Sequence, residues 1–381
     1  MRAAALALVV LSAGAVANGP HQVSNSGFGA YEASLTPFRD GFAVAWYDTR
    51  DGHPEIYARL LNQEGRPAGP ERRLTRGTAD AYEPDVAAAG DRLVVGWYER
   101  DSNGHYRALL GAWTKDQRVL WTHQLSPGGR NGKNTVVRTR GDDIFCAWLE
   151  DAPGSDPEVR AQWFDVRGET RSAPRSIAPA GRATWNLNAA LDDRGRAWVA
   201  FDAKAGTRSD ELFLARVDRT DTQVVRLTGD DGKASKYPDI AIRGERAAVT
   251  WFDERDGNQE VYLVVAPTGD LREGADTRAR RVTDTPGESI GAYVAWNGDR
   301  VGLAWCDNTA GQHEIYFESF DGEGRPLEPP RRVTNNPTQS LIPAIRGTRG
   351  GFALVWNEFT PGPAGGHDPR GRSEIAFAFV R

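Results

Sequence analysis

The chain has 381 residues, 47 Lys and Arg against 52 Asp and Glu, and a formal net charge of −5. That length can bury a large core, and the slightly acidic balance gives no reason to expect nucleic acid as a partner. Its two cysteines are Cys146 and Cys306.

The first element is a leader. "MRAAALALVVLSAGAVANG" has an Arg, a short apolar run and then Ala15-Val16-Ala17, the layout of a cleavable secretory signal over 1–17. The apolar run is short for a membrane span and no longer one follows. The expectation is an exported protein, periplasmic or extracellular, with residues 18–381 forming one domain.

Strand signals come next and recur. "GFAVAW" (41–46) returns as "RLVVGW" (92–97), "DIFCAW" (143–148), "AWVAF" (197–201), "RAAVTW" (246–251), "RVGLAW" (300–305) and "GFALVW" (351–356). The aromatic anchors Trp46, Trp97, Trp148, Phe201, Trp251, Trp305 and Trp356 are spaced by 51, 51, 53, 50, 54 and 51 residues. Seven units at near-constant period mark a repeat architecture. The first unit offers four short strands, A to D, at "LTPF" (35–38), "FAVAWY" (42–47), "EIYARLL" (55–61) and "ERRLT" (71–75), separated by Gly, Pro, Asn and Asp. Four antiparallel strands repeated seven times predict an all-β, seven-bladed β-propeller. Along the B strands large apolar residues alternate with small ones, which suits sheets stacked face to face.

The ends fit this count. The last unit has A (341–346), B (352–356) and C (373–381), while "HQVSNS" (21–26) resembles the D segment "RRVTNN" (331–336). The N-terminal strand is therefore expected to close blade seven. Cys146 and Cys306 fall on B strands of blades three and six, too far apart for a bridge, and read as small buried groups.

The stretches "RDGHPEIY" (50–57) with "RRLT" (72–75), and "RDGNQEVY" (255–262) with "RRVT" (280–283), resemble the TolB-type periplasmic propeller repeat. The longer period and the W-x-D before the turn are more similar to bacterial sialidase-like propellers. The resemblance implies the fold. It would imply a glycoside hydrolase or lyase in the sialidase case, and a cell-envelope assembly component in the TolB case. The S-x-D-x-G-x-T-W boxes typical of sialidases are absent from "NQEGRP" (62–67), "DVRGET" (165–170) and "DGEGRP" (321–326), and no catalytic set maps onto the chain.

Carboxylates recur too. Two residues after the anchor stand Asp48, Glu99, Glu150, Asp253, Asp307 and Glu358, and on strand C stand Glu55, Glu158, Glu211, Glu260, Glu314 and Glu374. A catalytic pair is needed once per ring, whereas a group repeated in most blades serves the scaffold; capping the B–C turn by accepting N–H bonds is such a service. A ring of these oxygens holding a structural Ca²⁺ is the functional alternative. No catalytic residue, metal site or cofactor is assigned.

Function is expected where units break the pattern, on the face bearing the B–C and D–A loops. There the D–A segments carry Tyr31 and Glu32, Tyr82 and Glu83, Lys133 and Asn134, Trp185, and Lys236 and Tyr237. Of these, Tyr31, Tyr82, Lys133, Trp185, Lys236 and Tyr237 are the candidate ligand contacts, since aromatics with Lys suit sugars or peptides carrying anionic groups. The reading is of a monomeric, non-catalytic propeller that binds a protein or glycan partner.

Overall fold

The R-D-G turns show why the chain reverses where it does. Gly52 and Gly257 sit at φ of 89° and 104°, a region that side chains with a Cβ rarely enter, so each glycine lets strand B fold straight back into strand C. The computed structural model describes residues 19–152, 154–177, 182–361 and 371–381, with the side chains of 182–185 outside the description. The proposed leader over 1–17 lies outside the described residues.

Seven four-stranded antiparallel sheets make up the fold. The innermost strands, A, are Ala30–Phe38, Asp80–Ala89, Asn131–Arg140, Arg182–Leu191, Ser235–Arg243, Ser289–Asn297 and Gln339–Thr348. Each pairs with its own strand B, which pairs with C, and C with a short outer D. Neighbouring A strands touch all round the axis, the seventh meeting the first, so the ring is closed. Among the described residues, helix is confined to two 3₁₀ turns, Thr268–Asp270 and Ala275–Arg278. No helix among the described residues is long and apolar enough to cross a membrane. The protein is a seven-bladed β-propeller.

The core lies between blades. Trp46 packs with Ala353, Val355 and Phe377 of blade seven, while Ala43 and Ala45, on the opposite face, pack against Leu93, Val95 and Trp97 of blade two. Bulky and shallow faces thus interlock, as the alternation predicts. Gly96 shows how tight this is: a Cβ there would stand 2.7 Å from Cγ2 of Thr135 in blade three. Both cysteines are free and buried, Cys146 among the residues between blades two and three and Cys306 between six and seven.

The carboxylate after the anchor is tied to the anchor itself. Asp48 Oδ2 accepts the indole N–H of Trp46 at 3.0 Å, and its Oδ1 accepts the Arg50 N–H at 3.0 Å and the Ser26 hydroxyl at 2.7 Å. Asp253 repeats this with Trp251 at 2.9 Å, the Arg255 N–H at 2.9 Å and Ser235 at 2.8 Å. Glu150 takes the Trp148 indole at 3.0 Å and Glu99 that of Trp97 at 3.3 Å. All four fix the anchor; Asp48 and Asp253 also cap the turn as expected, whereas Glu99 and Glu150 give their other oxygen to Arg107 and Arg130.

The strand C glutamate does a different job from the turn capping expected of it. It clamps strand D. Glu260 accepts from the Thr283 hydroxyl and from Arg281 at 3.1 Å, while the same Thr oxygen accepts the Val261 N–H at 2.8 Å. Glu314 uses Thr334 and Arg332, both at 2.5 Å, and Glu55 uses Thr75 and Arg73. The R-R-[LV]-T motif therefore encodes an Arg and a Thr for one buried glutamate. In blade seven, His21–Gln22 pairs with Ala376 and Phe377, and Ser24 stands in for the Thr: it donates to Glu374 and accepts the Ile375 N–H at 2.7 Å. The N-terminal strand closes the ring by the hydroxyl–glutamate contact that also holds strand D in blades one, four, five and six.

Candidate functional site at the axial mouth

Each A strand begins with a kink. The pairing with strand B skips two residues in six blades, after Tyr31, Tyr82, Lys133, Lys236, Ile290 and Leu341, and three after Ala183 in blade four. The residue after the break takes positive φ at Glu32, Glu83, Asn134, Tyr237, Gly291 and Ile342. A β-bulge of this kind re-aims side chains. The candidates expected in D–A loops thus lie on strand A, held by ladder bonds, and form the rim of the mouth. The sequence placed them in loops because the bulge interrupts the alternation that would have extended the strand.

Polar side chains secure these kinks from the neighbouring blade. Asn357 Oδ1 accepts the Glu32 N–H at 3.1 Å, and Asp202 Oδ2 accepts the Tyr237 N–H at 3.0 Å. Deeper along the axis, Ser34, Asp85 and Asp239 accept the edge N–H groups of Val86, Val137 and Val294 at 2.9, 2.8 and 2.8 Å. These bonds pair backbone donors that the innermost strand would otherwise leave without partners.

Blades one and two carry a row of aromatic rings at the mouth. Tyr31 stacks on Tyr47 with centroids 5.3 Å apart, Tyr47 meets Tyr82 edge-on at 5.3 Å, Tyr82 meets Tyr98 at 5.6 Å, and Tyr98 meets Tyr106 at 5.9 Å. The Lys133 ammonium stands 3.8 Å over the Tyr106 ring and ends the row. Tyr31, Tyr82 and Lys133, predicted separately, are thus brought together by Tyr47, Tyr98 and Tyr106, which sequence reasoning missed.

Two acids sit among these rings. Tyr98 donates its hydroxyl to Glu83 Oε1 at 2.8 Å. Glu32 holds no such donor: its Oε2 has no exposed surface and no hydrogen-bond partner. Burial and then the nearby Glu83 carboxylate push the Glu32 carboxyl up to about 8. Burial raises Glu83 as well, against the pull of the Tyr98 hydrogen bond and Lys133. The Tyr47 hydroxyl is raised by burial and by both glutamates, which places all three groups in one electrostatic unit.

Below this layer lies an ionic group. Arg138 bonds Asp85 at 2.5 Å, the Ala189 carbonyl at 2.6 Å and Asn188 at 3.1 Å. Burial and then Arg138 lower the Arg346 pKa, and burial raises that of Asp239. Burial also raises that of Tyr293, with smaller contributions from Asp239, Glu32 and Glu83, so Tyr293 links the two layers electrostatically.

Blade five carries the other two candidates. Lys236 is engaged by Asp210 at 2.9 Å, and Tyr237 stacks on Phe252 at 5.5 Å while remaining 47% exposed. Trp185 lies within the bulge of blade four's A strand; its side chain is outside the described residues. An open groove of about 590 Å³ lies against blade one at the end away from the mouth, lined among others by Phe38, Arg39, Phe42 and Leu60.

No family model matches the chain, and no curated protein matches it. Among solved structures it is similar to a post-proline cleaving enzyme from Rickettsia typhi, at 10% identity and a TM-score of 0.51, over 87% of this chain and 50% of that one. It is similar also to a subtype N10 neuraminidase-like protein of A/little yellow-shouldered bat/Guatemala/060/2010, at 10% identity and a TM-score of 0.51, over 78% of this chain and 96% of that one. The chain spans half the length of the first. At such identity the likeness is one of propeller fold alone.

Proposed function

We propose that this protein is an exported propeller that binds a protein or glycan partner at the axial mouth, on the side formed by blades one to three, without chemistry of its own. The observation that carries the reading is the row of five tyrosines, each in contact with the next, running across blades one and two and flanked by Glu32, Glu83 and Lys133 of blade three. Aromatic rings offer flat apolar area with a polar tip, the usual surface for stacking a sugar or a side chain. The lysines are engaged within the chain, so the mouth selects by its acids rather than for an anionic group.

One observation favours a second reading. The Tyr98–Glu83 hydrogen bond pairs a tyrosine with a carboxylate, and that pair points to a carbohydrate-active hydrolase. Arg138, in the layer below, is taken by Asp85 and the Ala189 carbonyl. A TolB-like role in envelope assembly draws support from the repeat motif alone.

A glycan-array and pull-down screen with the purified protein, run beside Tyr82→Ala, tests the binding reading. A ligand captured by the first and lost by the second supports it. Release of the aryl group from an aryl glycoside, abolished by Glu83→Gln, would move the assignment to the enzyme.

A further inference from the structure

Resting on that binding reading, we infer that the mouth recognises a primary ammonium group, held by the Glu32 and Glu83 carboxylates against the faces of Tyr31, Tyr47, Tyr82 and Tyr98. Three features of the site converge on this chemistry.

The first is an acceptor without a donor. Glu32 Oε2 is shut off from solvent and bonded to nothing, although its own backbone N–H is tied to Asn357 and its bulge conformation is fixed. A buried carboxylate oxygen left so is costly and is best satisfied by a charged N–H donor. Sugar hydroxyls could donate too, but they would not offset the charge of an acid pair.

The second is the wall. Tyrosine faces attract cations and gain from their desolvation. The chain already demonstrates this within the row, where the Lys133 ammonium is seated 3.8 Å over Tyr106. That cation lies beyond Tyr98, at the Glu83 end, and Glu32 at the other end has no counterpart.

The third is the electrostatic state of the pair. Burial raises both Glu32 and Glu83, and the Glu83 carboxylate raises Glu32 further. A bound cation relieves this, so the pair gives up a proton as the ligand enters. A quaternary ammonium would gain from the rings but could not donate to Oε2, which is why a primary amine is preferred.

A primary ammonium can come from a lysine side chain of a protein or from an unacetylated amino sugar of a glycan. Titration calorimetry with N-acetyl-lysine amide and with glucosamine separates these sources, using N-acetyl-norleucine amide and N-acetylglucosamine as uncharged counterparts. The expected result is that one of the two amines binds at least about tenfold more tightly than its uncharged counterpart, a difference of about 1.4 kcal/mol. Glu32→Gln should remove that preference, and so should Tyr82→Ala. Buffers of different ionisation enthalpy should show protons released on binding to the native protein and not to Glu32→Gln.

The inference is overturned if neither amine binds, if the uncharged compounds bind equally well, or if the preference survives in both Glu32→Gln and Glu83→Gln. Should a variant fail to fold, proton release by the native protein decides alone, its absence counting against the inference. Partner capture that depends on Tyr82 while all four small probes fail would sink this inference and leave the binding reading standing.

Discussion

Asp253 and Glu32 are both carboxyl groups drawn away from water, and their neighbours drive them in opposite directions. Burial pushes Asp253 up, but hydrogen bonds from Arg255, Trp251 and the Arg255 backbone outweigh it and hold the group below the usual carboxylate range. Nothing compensates Glu32. Asp253→Ala and Asp48→Ala, which fill matching places in blades five and one, should each cost roughly 1–3 kcal/mol in denaturant unfolding, since each leaves an indole and a backbone N–H without their acceptor. Glu32→Gln should act the other way. A carboxyl whose pKa is raised on folding binds its proton more tightly in the folded state, so stability falls as pH rises from the unfolded value, about 4.3, to the folded value of about 8. The amide has no such penalty. The Tm of Glu32→Gln should therefore draw ahead of the native protein across that interval and keep a constant lead above it; a lead independent of pH would show that Glu32 is not buried as an acid.

At the scale of the element, the N-terminal strand is held by more than its two ladder pairs. Glu374 also accepts the backbone N–H groups of Ser26 and Gly27, at 2.9 and 2.8 Å, so removing residues 19–27 strips Glu374 of those donors as well as of Ser24. The shortened protein should melt well below the native one and aggregate through the edge of strand C, Arg372–Val380. Ser24→Ala should cost about 1 kcal/mol, measured by the shift of the urea midpoint. An unchanged Tm after truncation would remove the closure. The B and C strands were legible in the sequence because alternation and an aromatic anchor repeat in nearly every unit. The D strands of blades one, five and six were legible because Arg and Thr must meet a fixed glutamate. The A strands were not, since their first residues precede a bulge that breaks the period of two. Even so, the mouth left a trace: "AYE" at 30–32 and 81–83 coincides with "WY" at 46–47 and 97–98, and the other blades lack this combination. What no sequence pattern supplies is that Tyr47 of blade one leans on Tyr82 of blade two, because that contact depends on how sheets stack.

For the molecule as a whole, seven similar blades divide into a scaffold that repeats and a sector that does not. The Trp–carboxylate pairs, in blades one, two, three, five and seven, and the Arg–Thr–Glu clamps, in blades one, five and six, tie anchor to turn and strand C to strand D. The tyrosines and the two raised glutamates are confined to blades one and two, with Lys133 of blade three at their edge. A ring closed by its own N-terminal strand can hold such a sector in a fixed shape, which lowers the entropy lost on binding. The measurement that tests this division most directly is the capture of a screened partner by Tyr82→Ala and by Asp253→Ala, each read beside its own Tm. The account predicts that Tyr82→Ala lowers capture about tenfold or more, a loss of about 1.4 kcal/mol, with a small fall in Tm. It predicts that Asp253→Ala lowers Tm and captures normally while folded. Capture unaffected by Tyr82→Ala but abolished by Asp253→Ala in a protein of native Tm would contradict it and move the site to the repeated turns.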